Sequence, residues 1–212
     1  MIPTSPPAAH VGGASAVLKI LISGGFGVGK TTAVGSISEI EPLSTEEVLT
    51  EASAPIDSLQ GVEAKATTTV AFDFGRITFA PPDVPVPVEL LLFGTPGQER
   101  FADLWYDLAR GTVGAVVLAD TRRLEDSFPA VGFFEHYGLP FVLGVNPWDG
   151  AFRYHPEDVR RALDLDPHVP VVICDARKPD MVAGALITLI DHVVDLAASP
   201  PAHPTATALL DA

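Results

Sequence analysis

The stretch Gly24-Gly25-Phe26-Gly27-Val28-Gly29-Lys30-Thr31 decides how this chain folds. It meets the pattern G-x-x-x-x-G-K-[ST] at every constrained position. The residues before it, Ala16 to Ser23 (AVLKILIS), read as a buried strand, and those from Lys30 onward (KTTAVGSISEI) read as a helix. A strand, a glycine loop and a helix start turn successive backbone N–H groups, and the positive helix end, toward one anion. Gly24, Gly27 and Gly29 let the backbone curl close to phosphate oxygens. Gly25, Phe26, Val28 and Thr32 complete the expected phosphate cradle. Lys30 is placed to reach the β- and γ-phosphates, and the Thr31 hydroxyl to bind Mg²⁺.

Outward from this loop, strand and helix patterns alternate. Strands are expected at 16–23, 68–79, 88–93, 113–119, 140–146 and 169–174. Helices are expected at 30–40, 98–110, 127–137, 156–164 and 179–198, with Ser127 a candidate cap for the third. This alternation predicts an α/β three-layer sandwich of the P-loop NTPase class, a six-stranded and mostly parallel sheet covered on both faces. No helix separates the strands at 68–79 and 88–93. Their proline-rich connection (APPDVPVP) predicts an antiparallel hairpin, so one edge strand runs antiparallel. The domain is expected over 16–198, between disordered tails at 1–15 and 199–212 that are rich in Pro, Ala, Ser and Thr. The acidic stretch from Glu41 to Gly61 has weak periodicity and reads as a long loop, either functional or a solvated insert.

The 212 residues suit one domain plus tails, and 47% of them are hydrophobic, enough for a sizeable core. A formal net charge of −14 argues against nucleic acid or an anionic membrane as a direct partner, because both need basic surface. The single cysteine, Cys174, fits a reducing compartment. The start MIPTSPPAAH does not read as a signal peptide, and Met181 to Ala198 carries Asp191, His192 and Asp195 and so reads as amphipathic. The expectation is a cytoplasmic protein without direct membrane insertion, any membrane association coming through partners.

Three further sites bear on chemistry. Thr67-Thr68-Thr69 leads into Val70-Ala71-Phe72-Asp73-Phe74, and TVAFDF is close to the T-I-G-V-D-F of Rab-type proteins. Phe93-Gly94-Thr95-Pro96-Gly97-Gln98-Glu99-Arg100-Phe101 is close to W-D-T-A-G-Q-E-R-[FY]. Asn146-Pro147-Trp148-Asp149 follows a buried strand and lines up with [NT]-K-x-D, and Cys174-Asp175-Ala176-Arg177 follows the last strand.

On these residues the chain resembles a Ras-superfamily small GTPase over about 16–198. More closely, GGFGVGKTT, FGTPGQERF, ADTRRLEDSFPAV and CDARKP resemble the bacterial conservon GTPases (CvnD type) of actinomycetes, relatives of the MglA polarity GTPases. The resemblance implies Mg²⁺, GTP binding and slow hydrolysis to GDP in a signalling complex. It implies Thr69, with Thr68 second, on Mg²⁺ and the γ-phosphate. Gly97 would then offer its N–H to the γ-phosphate, and Gln98 would orient the attacking water. Asp149 would accept two hydrogen bonds from guanine, Asn146 would support it, and the Asp175-Ala176-Arg177 turn would present the Ala176 N–H to the base oxygen. The partners it implies are a sensor-kinase-like protein, a roadblock-fold (MglB-like) regulator and a small protein of unknown function.

The sequence departs from that pattern in four ways. Gly94 replaces the aspartate that holds Mg²⁺ through water. Pro147 replaces the lysine that packs along guanine. Phe26 stands where a very small residue is kept beside the γ-phosphate. From Glu41 to Gly75 there is no arginine, and Lys65 is the one cation. These departures keep two other readings open: an ATP-hydrolysing P-loop protein, and a pseudo-GTPase scaffold that holds nucleotide without turnover. Asp120-Thr121-Arg122-Arg123 reads as a loop or partner surface, and Trp148 as a packing residue.

Overall fold

The computed structural model describes residues 16–44, 72–80, 86–97 and 102–198. β1 (Ala16–Gly24) runs into the glycine loop, and α1 (Lys30–Ile37) leaves it. A two-residue strand, β2 (Leu43–Ser44), follows. β3 (Asp73–Phe79) and β4 (Val88–Gly94) come next, then α2 (Ala102–Ala109) and β5 (Thr112–Ala119). A 3-10 turn, Leu124–Ser127, leads directly into α3 (Phe128–Tyr137). The chain closes with β6 (Phe141–Val145), α4 (Pro156–Ala162), β7 (Val171–Ile173) and α5 (Pro179–Ala198).

The sheet order is β2-β3-β4-β1-β5-β6-β7. β4, β1, β5, β6 and β7 are parallel, and β3 is antiparallel to β4 with Phe74 opposite Phe93. The six expected strands and the hairpin are present. β2 adds two residues outside β3, pairing Leu43 with Phe74. Two residues are too few to carry a hydrophobic period, which is why the sequence does not announce them.

Period-two alternation sorts side chains to the two faces. On one face Ile20, Ile22, Leu90, Leu92, Val116 and Leu118 pack against α1 (Ala33, Val34) and α5 (Val182, Ala185, Leu186, Leu189). On the other Leu21, Val117, Leu143 and Val145 pack against Trp105 of α2, Phe134 of α3 and Val159 of α4. Each buried Val, Leu, Ile or Phe among these contributes about 1.5–3 kcal/mol before entropy is set against it. α5 is long and apolar enough to cross a membrane by length and composition. Its buried residues nonetheless face the sheet, as expected of an amphipathic core helix.

Helix starts differ in a way that positions the site. α4 is capped by His155, whose Nδ1 accepts from the Glu157 N–H, and carries Glu157 and Asp158 in its first turn. α1 begins at Gly29 (φ 107°), with no side-chain cap bond and no acid in its first turn. Its positive end is left for an outside anion. Ser127 makes no cap bond, because the preceding 3-10 turn already holds it in helical conformation.

Candidate nucleotide site

The phosphate loop is shaped by glycine at the positions where a side chain has no room. Gly24 has φ 129°, and a Cβ there would lie 2.3 Å from the Leu118 carbonyl oxygen. The loop wraps around its own lysine: Lys30 Nζ donates to the Gly24 and Gly25 carbonyls at 2.9 and 2.8 Å. Gly97 closes the far side, since a Cβ on it would lie 2.6 Å from Lys30 Nζ and 3.0 Å from the Phe26 nitrogen. Lys30, Phe26 and Gly97 therefore meet at one point of the loop. Phe26 projects its ring outward, Val28 is buried, and Thr32 is exposed on the first turn of α1.

Burial pulls the Lys30 ammonium down to about 8, and the Asp73 carboxylate opposes that shift only in part. A phosphate selects the charged form. Triphosphate affinity should thus be flat well below pH 8, reach about half its plateau near pH 8 and fall toward tenfold per pH unit above it, read by titrations at pH 6.5 to 9.5. An affinity independent of pH across that range would contradict this assignment of Lys30.

Thr31, the expected metal ligand, donates its hydroxyl to Asp73 Oδ2 at 2.7 Å. No motif in the sequence points to Asp73 as a site residue. It opens β3 beside the end of β4, and a Cβ on Gly94 would lie 2.9 Å from its Oδ2. The carboxylate thus occupies the space that Gly94 vacates. Its only signal in the sequence was an acid within the apolar run VAFDF. A hydroxyl and a carboxylate suit Mg²⁺, which takes one or two protein oxygens and completes its shell with phosphate and water. Thr31 and Asp73 could together offer Mg²⁺ two oxygens.

The side of the loop toward β7 is braced by Asn146. Its Nδ2 donates to the Val28 carbonyl at 2.8 Å, and its Oδ1 accepts from the Ala176 N–H at 3.1 Å. This buried amide ties the phosphate loop to the turn after β7. The Ala176 N–H, expected to face a base oxygen, is held by that bond. Asp149 is 89% exposed and takes Arg177 Nη1 on Oδ2 at 3.0 Å and Nη2 on Oδ1 at 3.4 Å. Arg177 also donates from Nε to Asp175 Oδ1 at 2.9 Å and from Nη2 to Oδ2 at 3.0 Å. The Arg177 hydrogen bonds hold both carboxyls below their ordinary range and raise the guanidinium above its own. Trp148 lies under the Arg122 guanidinium, 4.1 Å from the ring centroid, as a packing residue. Arg122 is itself held by Asp120 through Nε and Nη2. Burial pushes the Asp120 carboxyl up, and these bonds more than reverse it.

The structure brings together Gly24, Gly25, Phe26, Gly27, Val28, Gly29, Lys30, Thr31, Gly97, Asn146 and Ala176 around one loop, with Asp149, Asp175 and Arg177 at its edge. Thr68, Thr69 and Gln98 lie outside the described residues, as does most of the acidic stretch.

A family model described as conserved hypothetical ATP binding protein matches residues 22–196. The chain belongs to this ATP-binding family. It is also similar to an uncharacterized protein of Methanocaldococcus jannaschii, 26% identical over 134 residues, which span 62% of this chain and 71% of the relative. Membership corrects the resemblance to Ras-superfamily, conservon and MglA-like GTPases. The physical reason is that the glycine loop and its lysine serve phosphate, which every P-loop protein shares, and say nothing of the base. The residues that would read the base are those that depart, beginning with Pro147. The roadblock-fold and sensor-kinase-like partners rested on that resemblance alone.

Proposed function

We propose that this protein binds ATP with Mg²⁺ and hydrolyses it slowly to ADP and phosphate. One observation supports a triphosphate site, a buried lysine inside a glycine loop with Thr31–Asp73 on one side and Gly97 on the other, and the family supports adenine as its base. Lys30 and the loop N–H groups would bind the β- and γ-phosphates. Thr31 and Asp73 would hold Mg²⁺, which supplies charge neutralisation on the phosphates when bound. Gly97 would place its N–H at the γ end. The adjoining Pro96 carbonyl accepts from Trp105 Nε1 at 3.1 Å, so a shift of Gly97 on loss of phosphate would reach α2. That link suits a regulatory role. Single-turnover phosphate release by the full chain should be Mg²⁺-dependent and run at about 10⁻⁴ to 10⁻² per second. Unaided turnover of several per second would contradict it.

Guanine is a second reading, favoured by the place of Asp149 beside the Asp175–Arg177 turn that Asn146 ties to the phosphate loop. Adenine is preferred on the family and on two occupied groups: Asp149 already takes Arg177 on both oxygens, and the Ala176 N–H is bonded to Asn146. Asp149→Ala separates the two. ATP affinity should stay within about twofold of wild type. A reader of guanine would instead lose about thirtyfold or more in GTP affinity, the effect of leaving buried donors unpaired.

A further inference from the structure

The turn between β5 and α3 is packed onto the phosphate loop. A Cβ on Gly25 would lie 2.7 Å from the Cβ of Asp126, and one on Gly27 would lie 3.8 Å from Arg123 Nη2. Arg123 Nη2 donates to the Phe26 carbonyl at 3.0 Å. The Phe26 nitrogen and Cα, like Lys30 Nζ, lie within about 3 Å of where a Gly97 Cβ would stand. A guanidinium therefore sits on the carbonyl of the same residue whose nitrogen and Cα face Gly97, brought there by an element 97 residues along the chain.

Other nearby arginines are committed elsewhere. Arg122 is fixed by Asp120 and Trp148, and Arg177 by Asp175 and Asp149. Arg123 has a weaker hold: its ion pair with Asp126 spans 3.3 Å, and the two side chains are 46% and 41% exposed. Exposed pairs of this kind contribute little and exchange readily. The Arg123 fork can keep one N–H on the loop and turn the others to phosphate oxygens.

We infer that Arg123 is a catalytic residue that contacts the γ-phosphate in the transition state, an arginine supplied from within the chain. It rests on the hydrolysis proposed above. In that step a water oxygen bonds to the γ-phosphorus and the bond from phosphorus to the β,γ-bridging oxygen breaks. Both water protons leave on the released phosphate as dihydrogen phosphate, and the bridging electron pair stays on ADP. Arg123 exchanges no proton; it stabilises charge spread over the equatorial and bridging oxygens.

The test compares wild type, Arg123→Ala and Arg123→Gln as full chains. Arg123→Gln keeps the length and an amide donor and removes the charge. Three readouts are taken: ATPγS affinity, single-turnover phosphate release from ATP, and trapping of ADP with aluminium fluoride and Mg²⁺. Both variants should lose at least about a hundredfold in release rate and fail to trap fluoroaluminate, with ATPγS affinity within about threefold of wild type. Release and trapping at the wild-type level in a folded variant would overturn the inference alone. An equal loss of ATPγS affinity and rate would also overturn it, making Arg123 a brace of the loop. Wild type that binds ATPγS but releases no phosphate would overturn the hydrolytic reading and this inference together.

Discussion

Lys30→Met is expected to weaken ATP binding by about a hundredfold or more, because truncating one side of a desolvated charge pair costs on the order of 2–5 kcal/mol. The same substitution should leave the melting temperature of the nucleotide-free protein within a few degrees of wild type, or raise it. Two opposed terms lead to this. Removing Nζ leaves the Gly24 and Gly25 carbonyls without their donor, a loss of about 1–3 kcal/mol each if both stay dry. Against this stands the cost of holding a buried ammonium, whose value falls from 10.5 to about 8. That shift corresponds to about 3 kcal/mol of destabilisation. It is present in full below the folded value and disappears as pH rises toward the unfolded one, since the unfolded chain binds the extra proton. Thermal unfolding and ATP titration of the variant check both halves. A protein that melts far lower would mean Lys30 is part of the scaffold; one that binds ATP normally would remove it from the site.

Asp73→Asn is expected to raise the Mg²⁺ concentration needed for half-maximal nucleotide binding by about 10–100-fold. In the absence of metal its ATP affinity should equal or exceed that of wild type, because one negative charge near the phosphates is gone. These opposite effects separate a metal ligand from a packing residue, which would weaken both measurements alike. Asparagine keeps the shape and can still accept from Thr31, so the contact with Gly94 is preserved. An unchanged Mg²⁺ midpoint would place the metal elsewhere.

Much of the architecture is legible along the chain, and the reason is local. β1, the loop and α1 are separated by a switch from a strand run to a helical one across three glycines with positive φ. The β3–β4 hairpin follows from the lack of a helix between two apolar runs. The missing pieces depend on distant neighbours. Asp73 acquires its role only beside Gly94, through a register between two strands that no single segment encodes. Arg123 reads as part of a loop or partner surface until the fold lays it on the Phe26 carbonyl. Ala176 offers its N–H to Asn146, a partner 30 residues earlier, which no motif at 174–177 foretells. The family was misread for a related reason. Phosphate recognition uses backbone and glycine and is conspicuous, whereas base recognition uses a few side chains at loop ends, where Asp149 has met Arg177.

The most direct measurement is a titration of the full chain with fluorescent ATP in Mg²⁺, competed by unlabelled ATP, GTP and ADP. Saturable one-to-one binding, lost on metal removal and displaced by ATP more readily than by GTP, is the predicted result. No saturable binding of either triphosphate would contradict the assignment of the glycine loop, Lys30, Thr31 and Asp73 as a nucleotide site.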